Sequence, residues 1–418
     1  MSYESFVGWR YLRTRGKQTF VSVISLISLA GFTVGVAALI IVLAVLTGFE
    51  DALKSKILGV NPHVMVLRYG GGLDDPGHVM DVAKSDPAVE AATPFVYAQI
   101  MLKDDVSSAG VVVRGIDPAT APQVIEVLAK LASGNLSDLA PGGKGKAGGV
   151  VLGKDLAKQL AVGVGDRIDA ISPNGSMTPF FPSFSLRPLE VVGIFDSGMH
   201  EYDNSLCYVH IAEAQSLMGI GKQVTGVELR LVDPYKARGV ADRIEKKLGG
   251  GLYSTRNWIS MNESLFKAFA LERFVYFVVV LLITLVAGFN IVSTLIMAVL
   301  EKTKDIAILK SMGASASSIR KIFQVEGLAV GLAGTAIGVT VGLVTALNLT
   351  RVARVVEAVC HCQIIPEGVF YINEVPSKVN PLDVGVVAVT AIAISYLATI
   401  YPAWHASRLD PAEALRYE

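Results

Sequence analysis

The sequence predicts an α-helical membrane protein with four transmembrane helices and a large α+β domain inserted between the first and second. Three observations predict it. Four windows hold no Asp, Glu, Lys or Arg: Gln18 to Phe49, Phe274 to Leu300, Gly327 to Thr350, and Val384 to Ser407. Each exceeds the roughly 20 residues a helix needs to cross a hydrocarbon core. Only helices, or closed barrels, satisfy their own backbone groups in lipid. The long segment between the first two windows instead changes period repeatedly, as strands and short helices do. Finally, charge is sparse and sorted: 18% of residues are charged, against about 25% in an average soluble chain. The 37 basic and 37 acidic residues balance, so nothing points to nucleic acid.

Lys and Arg near the spans set the orientation. Arg10, Arg13, Arg15 and Lys17 precede the first span. Lys302, Lys304, Lys310, Arg320 and Lys321 stand between the second and third, and Arg408 and Arg416 follow the fourth. In the loop between the third and fourth, Arg351, Arg354 and Lys378 are offset by Glu357, Glu367 and Glu374. Both termini are therefore expected in the cytoplasm and the inserted domain outside. The expected spans are 19–49, 273–300, 321–350 and 383–405. Around them lie an interfacial segment at 1–18, the outer domain at 50–272, a cytoplasmic helix and loop at 301–320, an outer loop at 351–382 and a cytoplasmic tail at 406–418. In "YESFVGWRYLRTRG", Phe6, Trp9 and Leu12 recur at helical spacing with Arg10 and Arg13 off the stripe. That is an interfacial amphipathic helix with Trp9 at headgroup depth. The first apolar run is too long for a cleaved signal peptide and reads as an anchor.

In the inserted segment, "PHVMVLR", "FVYAQIML", "AGVVVRGI", "RPLEVVGIF" and "TGVELRLV" read as strands. "PATAPQVIEVLAKLAS" and "DPYKARGVADRIEKKL" read as helices, the second with Asp233 as N-cap and Pro234 in its first turn. These elements build one large lobe or two small ones. "PGGKGKAGG" is a flexible surface loop by composition. The stretch Ser172 to Pro188, "SPNGSMTPFFPSFSLRP", is different. Pro173, Pro179, Pro182 and Pro188 keep it out of a sheet interior, so it projects or lies on an edge. Its phenylalanines are either tucked against the body or offered to a partner.

No enzyme chemistry is legible. The chain holds no GxSxG, HExxH or Walker-type stretch, and "GGKGKAGG" lacks the P-loop spacing and its Ser/Thr. His63, His78, His200 and His210 have no metal-ligand spacing. Cys360, His361 and Cys362 supply at most three poorly spaced ligands, so no metal is expected. Three cysteines in all are too few for a disulfide scaffold.

Within the membrane half, Gly31 and Gly35 form a GxxxG, and Gly331, Gly334, Gly338 and Gly342 form a ridge on one face of the third span. Such ridges let backbones approach closely, within one subunit or across a dimer. No charge sits mid-span; Glu326 and His405 stand near the cytoplasmic ends. A proton or ion pathway usually leaves an intramembrane charge, so energy for transport is expected from elsewhere. Between the second and third spans, "EKTKDIAILKSMGAS" carries Ile306, Leu309 and Met312 at helical spacing, with Ile308 beside them. Gly313 suits the position that ends a helix, and Ser315 suits the cap of the next. A short charged helix held between two spans is a surface a motor subunit could push on.

Residues 288–323, "GFNIVSTLIMAVLEKTKDIAILKSMGASASSIRKIF", resemble the second span and coupling helix of the MacB/FtsX-like (type VII) ABC permease superfamily. Residues 401–418, "YPAWHASRLDPAEALRYE", resemble the C-terminal signature of its lipoprotein-releasing LolC/LolE branch, and "FVGWRYLRTR" fits the same branch. The resemblance covers essentially the whole chain. It implies a permease subunit in the bacterial inner membrane that extracts triacylated outer-membrane lipoproteins and passes them to a LolA-like periplasmic carrier. It implies no cofactor in this chain, with ATP and Mg on a separate LolD-like ATPase dimer, and a second LolC/LolE-type permease subunit, different or identical. It assigns coupling to Lys304, Asp305, Ile306, Ile308, Leu309, Met312 and Gly313, with the Ile306–Leu309–Met312 stripe against the ATPase. Carrier docking falls to a LolC-like hook at Pro173, Met177, Pro179, Phe180, Phe181 and Pro182. The acyl path falls to Val34, Leu39, Val42, Leu46, Phe289 and Ile291, between helices one and two of facing subunits. The rival readings are a MacB-like efflux permease and an FtsX-like signal transmitter.

Overall fold

The computed structural model describes residues 6, 19–104, 107–142, 147–172, 177–178, 181–182, 185–360 and 376–410. These form two compact units, one of apolar helices and one built on residues 52–267. Among the described residues, four helices are long and apolar enough to cross a membrane. The proposed interfacial helix at 1–18 lies, apart from Phe6, outside them.

The first element, helix α1, spans Thr19–Val60. It runs past the expected boundary at Phe49, because a charge-free window marks where a helix leaves hydrocarbon rather than where it ends. Residues 50–58 are ordinary helix formers, and Pro62 is the first residue that disfavours helix in its predecessor.

The inserted unit then follows as β1 (Val64–Arg68), α2 (Pro76–Lys84), β2 (Val89–Lys103), β3 (Ser108–Ile116), β4 (Ser133–Gly134) and β5 (Gly148–Gly153). It continues with α3 (Lys154–Gln159), β6 (Arg167–Ser172), β7 (Met177–Thr178), β8 (Phe181–Pro182) and β9 (Ser185–Phe195). It ends with α4 (His200–Ser205), β10 (Leu206–His210), α5 (Ile211–Met218), β11 (Gly226–Leu231), α6 (Ala237–Lys247), β12 (Tyr253–Asn257) and α7 (Trp258–Met261). The sheet order is β12-β1-β11-β2-β3-β10-β5-β9-β4, and β6 pairs with both β2 and β9. That double pairing closes a ring: β2, β3, β10, β5, β9, β6 and back to β2. One face of these strands buries Leu102, Val113, Leu152, Ile168, Leu189 and Val209. The alternating positions on the other face, Val151 and Tyr208 among them, belong to a second cluster with Ile125 and Phe195. Asp233 accepts from the Tyr235 N–H and caps the turn that leads into α6, as its position suggests.

"PATAPQVIEVLAKLAS" is not one helix. It folds as two 3-10 turns, Ala121–Gln123 and Glu126–Ala129, separated by an extended Ile125. Pro122 removes a backbone donor, and the second cluster takes up Val124, Ile125 and Leu128 without a continuous helix.

In the membrane unit follow α8 (Glu263–Glu301), α9 (Thr303–Ser311), α10 (Ala316–Leu347), α11 (Leu349–Cys360) and α12 (Pro381–Ser407). The second long helix begins ten residues before the expected 273, for the reason α1 overruns. The expected outer loop at 351–382 opens with a helix, α11, after a break at Asn348, whose side chain donates to the Val344 carbonyl (2.9 Å). The glycine ridge packs within the subunit. A methyl on Gly338 would stand 2.8 Å from Val36 Cβ and 2.9 Å from the Thr33 carbonyl; one on Gly342 would meet Ala37 Cα at 3.1 Å. On another side of α10, Gly327 and Gly331 admit Thr399 and Ser395 of α12, whose methyl and hydroxyl would lie 2.3 and 1.9 Å from an added Cβ.

Candidate functional site

At the end of the membrane unit where α8, α10 and α12 meet, α9 closes a small core. Ile306 is 1% exposed and packs with Val299, Ile319, Ile322, Phe323, Ala403 and Ala406, with Leu309 half-buried beside it. Lys310 Nζ donates to the carbonyls of Ser407 (3.1 Å) and Leu409 (2.6 Å), satisfying acceptors left over at the end of α12. Gly313 takes φ +100°, and the N–H groups of Gly313 and Ala314 return to the carbonyls of Lys310 and Leu309, closing a Schellman turn. Ser315 then caps α10 through the Ser318 N–H (3.2 Å). A short helix could pivot on its own; these contacts tie α9 to three neighbours.

This corrects the expected contact stripe. Ile306 and Leu309 face their own chain. The outward surface of α9 and its C-cap carries Lys304, Ile308 (49% exposed) and Met312 (80% exposed). Asp305 is half-buried and pairs with Lys302 at 3.4 Å. Periodicity identified the apolar positions but not which of two partners covers them. In the sequence Lys310 reads only as a charge that sets orientation; nothing in its spacing announces a latch.

A groove of about 380 Å³ opens among α1, α8 and α12. Its depth is apolar, with Phe32, Val36 and Leu39 from α1, Val280 and Ile283 from α8, and Val387 and Ala391 from α12. Its mouth is polar. Arg273 Nη2 donates to both Glu50 oxygens (3.1 and 2.9 Å), the Tyr276 hydroxyl donates to Glu272 (2.5 Å), and Asp383 and Asn380 stand opposite. Phe277 and Val386, both more than half exposed, line its open side. An apolar slot under a polar collar suits a molecule with a hydrocarbon chain and a polar junction.

The six path residues divide. Leu39 and Leu46 line this groove, and so does Leu43. Val34, Val42 and Phe289 point outward from the bundle. Ile291 lies in the bundle core with Leu295. The sequence reading names no α12 residue here, since Val387 and Ala391 look like any other residues of a span.

The stretch expected to dock a carrier follows β6, a strand of the closed ring. The β6–β9 ladder runs to Ser172↔Ser185, and a smaller hairpin beyond it pairs Met177 with Pro182 and Thr178 with Phe181. Pro173, Pro179 and Phe180 lie outside the described residues. In the same unit, Arg114 Nη2 bonds Glu228 Oε1, with both side chains almost fully buried, while Arg114 Nη1 donates to the Val60 carbonyl at the end of α1 (3.1 Å). Burial pushes the Glu228 carboxyl up, and the guanidinium pulls it back. Among the described residues, no group of three His, Cys, Asp or Glu could hold a metal.

The comparisons with known proteins agree with this layout. Residues 25–247 match the MacB-like periplasmic core domain, and residues 277–411 match the FtsX-like permease C-terminal domain. The chain is 36% identical to the lipoprotein-releasing system transmembrane protein LolC of Neisseria meningitidis serogroup B, over 100% of both chains. It is 34% identical to LolC of Xylella fastidiosa (strain Temecula1), over 99% of this chain and 98% of that one. It is 33% identical to LolE of Haemophilus influenzae, over 99% of each.

Proposed function

Since the chain belongs to the LolC/LolE family of lipoprotein-releasing transmembrane proteins, we propose that it extracts lipoproteins from the inner membrane as the permease subunit of an ABC transporter. Both termini face the cytoplasm. A separate LolD-like ATPase dimer binds ATP and Mg, engages α9 from outside, and pairs with this chain and a second permease subunit, different or identical. The lipoprotein's acyl chains lie in the groove of α1, α8 and α12, with the lipid's polar junction at the Glu50–Arg273 collar. A LolA-like carrier docks at the hook between β6 and β9, which is the LolC-like role.

The observation that carries the reading is the groove: an apolar slot of about 380 Å³ under a polar mouth, in a bundle of spans. Movement of α9 reaches it through the same helices, because α9 packs on α8 and α10 and is latched to α12. Nucleotide state would then set groove width, provided ATP-bound and ATP-free states favour different packings.

The test is site-specific photo-crosslinking in the reconstituted complex. Crosslinkers at Leu39, Leu46 and Val280 are expected to capture lipoprotein, and the adduct should fall when ATP is added. Ala38 and Val34 are exposed and do not line the groove, and they serve as controls. Capture that is equal at groove and control positions, or insensitive to ATP, removes the groove as the acyl site.

A further inference from the structure

Helix α11 follows the third span after a single residue, Asn348, and its sequence is "LTRVARVVEAVC". At 100° per residue, Leu349, Val352, Ala353, Val355, Val356 and Val359 fall on one arc, and Thr350, Arg351, Arg354 and Glu357 fall on the other. A β-branched face this regular is normally buried. Here Val355 is 62% and Val359 74% exposed, and Val352 and Val356 are exposed as well. Nothing in the described chain covers them.

The level of this helix is marked by its neighbours. After α11 the chain returns at Pro376, where Gly48 of α1 lies so close that an added Cβ would stand 2.6 Å from the Pro376 carbonyl. Ser377 Oγ donates to the Ala346 carbonyl (2.8 Å), and the Lys378 N–H donates to the Ala44 carbonyl (2.9 Å). Asn348, from which α11 starts, and Pro376–Lys378 thus both stand at the ends of the apolar stretches of α1 and α10, where hydrocarbon gives way to headgroups. A 12-residue helix is about 18 Å long, and one with an apolar face and basic flanks lies in that layer rather than across it.

We propose that α11 is an in-plane membrane helix whose valine face rests in the outer leaflet of the bilayer and whose Arg351 and Arg354 meet the phosphates of anionic lipids. The partner is the lipid surface itself. Charge complementarity supports this choice: the polar arc carries two arginines against one glutamate, and anionic leaflets attract such arginines. So does continuity, since α10 emerges from the same bilayer one residue earlier.

The test uses the full chain in nanodiscs of mixed phosphatidylethanolamine and phosphatidylglycerol. Cys360→Ser and Cys362→Ser leave Cys207, which is buried and whose thiol burial pushes well up, so it stays unlabelled. Spin labels are then placed singly at Arg354, Val355, Ala358 and Val359. Labels at Val355 and Val359 are expected to be reached by oxygen and shielded from a water-soluble nickel chelate several-fold, at depths of roughly 5–10 Å. Labels at Arg354 and Ala358 should show the reverse. Equal chelate access at all four positions would overturn the proposal by placing the helix in water. Shielding of Val355 and Val359 from both reagents would overturn it in favour of a protein partner. Arg351→Gln with Arg354→Gln should raise chelate access at Val355, as should omission of the anionic lipid. Unchanged access in both refutes the arginine–phosphate contact.

Discussion

Two substitutions, one inside α9 and one at its C-cap, should have opposite effects on stability and on coupling. Ile306 is 1% exposed and packed against Val299, Ile319, Phe323 and Ala403. Ile306→Ala removes three carbons from a filled site, which typically costs about 2–5 kcal/mol. Since whole domains are stable by only about 5–15 kcal/mol, that is a large fraction. Met312 is 80% exposed, so Met312→Asp should change stability by no more than about 0.5 kcal/mol. If Met312 meets the ATPase, however, the new carboxylate is buried unpaired in that interface, where removing compensation costs about 3–5 kcal/mol. At about 1.4 kcal/mol per tenfold, assembly should weaken by two orders of magnitude or more. The assay measures thermal stability of the purified permease, copurification of the ATPase, and lipoprotein-stimulated ATP hydrolysis. Ile306→Ala should lower the melting temperature. Met312→Asp, and Ile308→Asp with it, should leave the melting temperature alone and lose the ATPase. Wild-type assembly in both exposed-face variants would refute the assignment of that face.

Three other outcomes follow from features of the inserted unit. Arg114→Met should destabilise it by about 3–5 kcal/mol in urea unfolding, because Glu228 is left buried without its cation, and Arg114→Met with Glu228→Met should recover most of the loss; no recovery would mean the ion pair is not the cause. Burial, helped by the nearby Arg230 charge, depresses the His63 imidazole below its usual range, and its Nδ1 accepts from the Leu231 N–H (2.9 Å). The folded state therefore binds this proton less readily than the unfolded chain, so its contribution is present above about pH 6.5 and is lost as pH falls below that. His63→Asn should flatten that part of the unfolding profile between pH 7 and 5.5, and an unchanged slope counts against it. Phe180→Ser with Phe181→Ser should spare folding and ATPase assembly while abolishing capture of the periplasmic carrier in a pull-down; carrier binding at wild-type strength would show that the hook has been misread.

Sequence reading succeeded where one physical rule dominates. Charge-free windows located four long helices, because hydrocarbon tolerates little else. The small residues of α10 announced close approach, though not that α1 and α12 are the neighbours. It failed where the answer depended on distant contacts. The α9 stripe is apolar whether its own bundle or another protein covers it, and only the position of Ala403 and Phe323 decides. Closure of the ring rests on Met101–Lys103 meeting Asp169–Ile171 across almost seventy residues, which no local pattern encodes. The groove is written on three helices at once, and α12 contributes residues indistinguishable from lipid-facing ones. Pro122 shows the opposite failure: apolar spacing was right, and one missing N–H changed the backbone that satisfied it.

The glycines of α10 also have a mechanical meaning. Where Gly338 and Gly342 meet α1, the opposing atoms are the Cβ atoms of Val36 and Ile40 and the backbone of Thr33 and Ala37; where Gly327 and Gly331 meet α12, they belong to the short Thr399 and Ser395 side chains. Long side chains between helices act as compliant bearings, since rotamer changes absorb small slips. At these four positions the nearest atoms lie within two bonds of a Cα, so little is absorbed, whereas Gly334 between them meets the Phe32 ring. Elsewhere Gly288 of α8 meets the Cγ2 methyl of Ile394 on α12, and Gly31 of α1 meets the Asn290 amide of α8. A displacement of α10 is therefore passed on at these four glycines rather than absorbed, and it carries two walls of the groove, α1 and α12, with it.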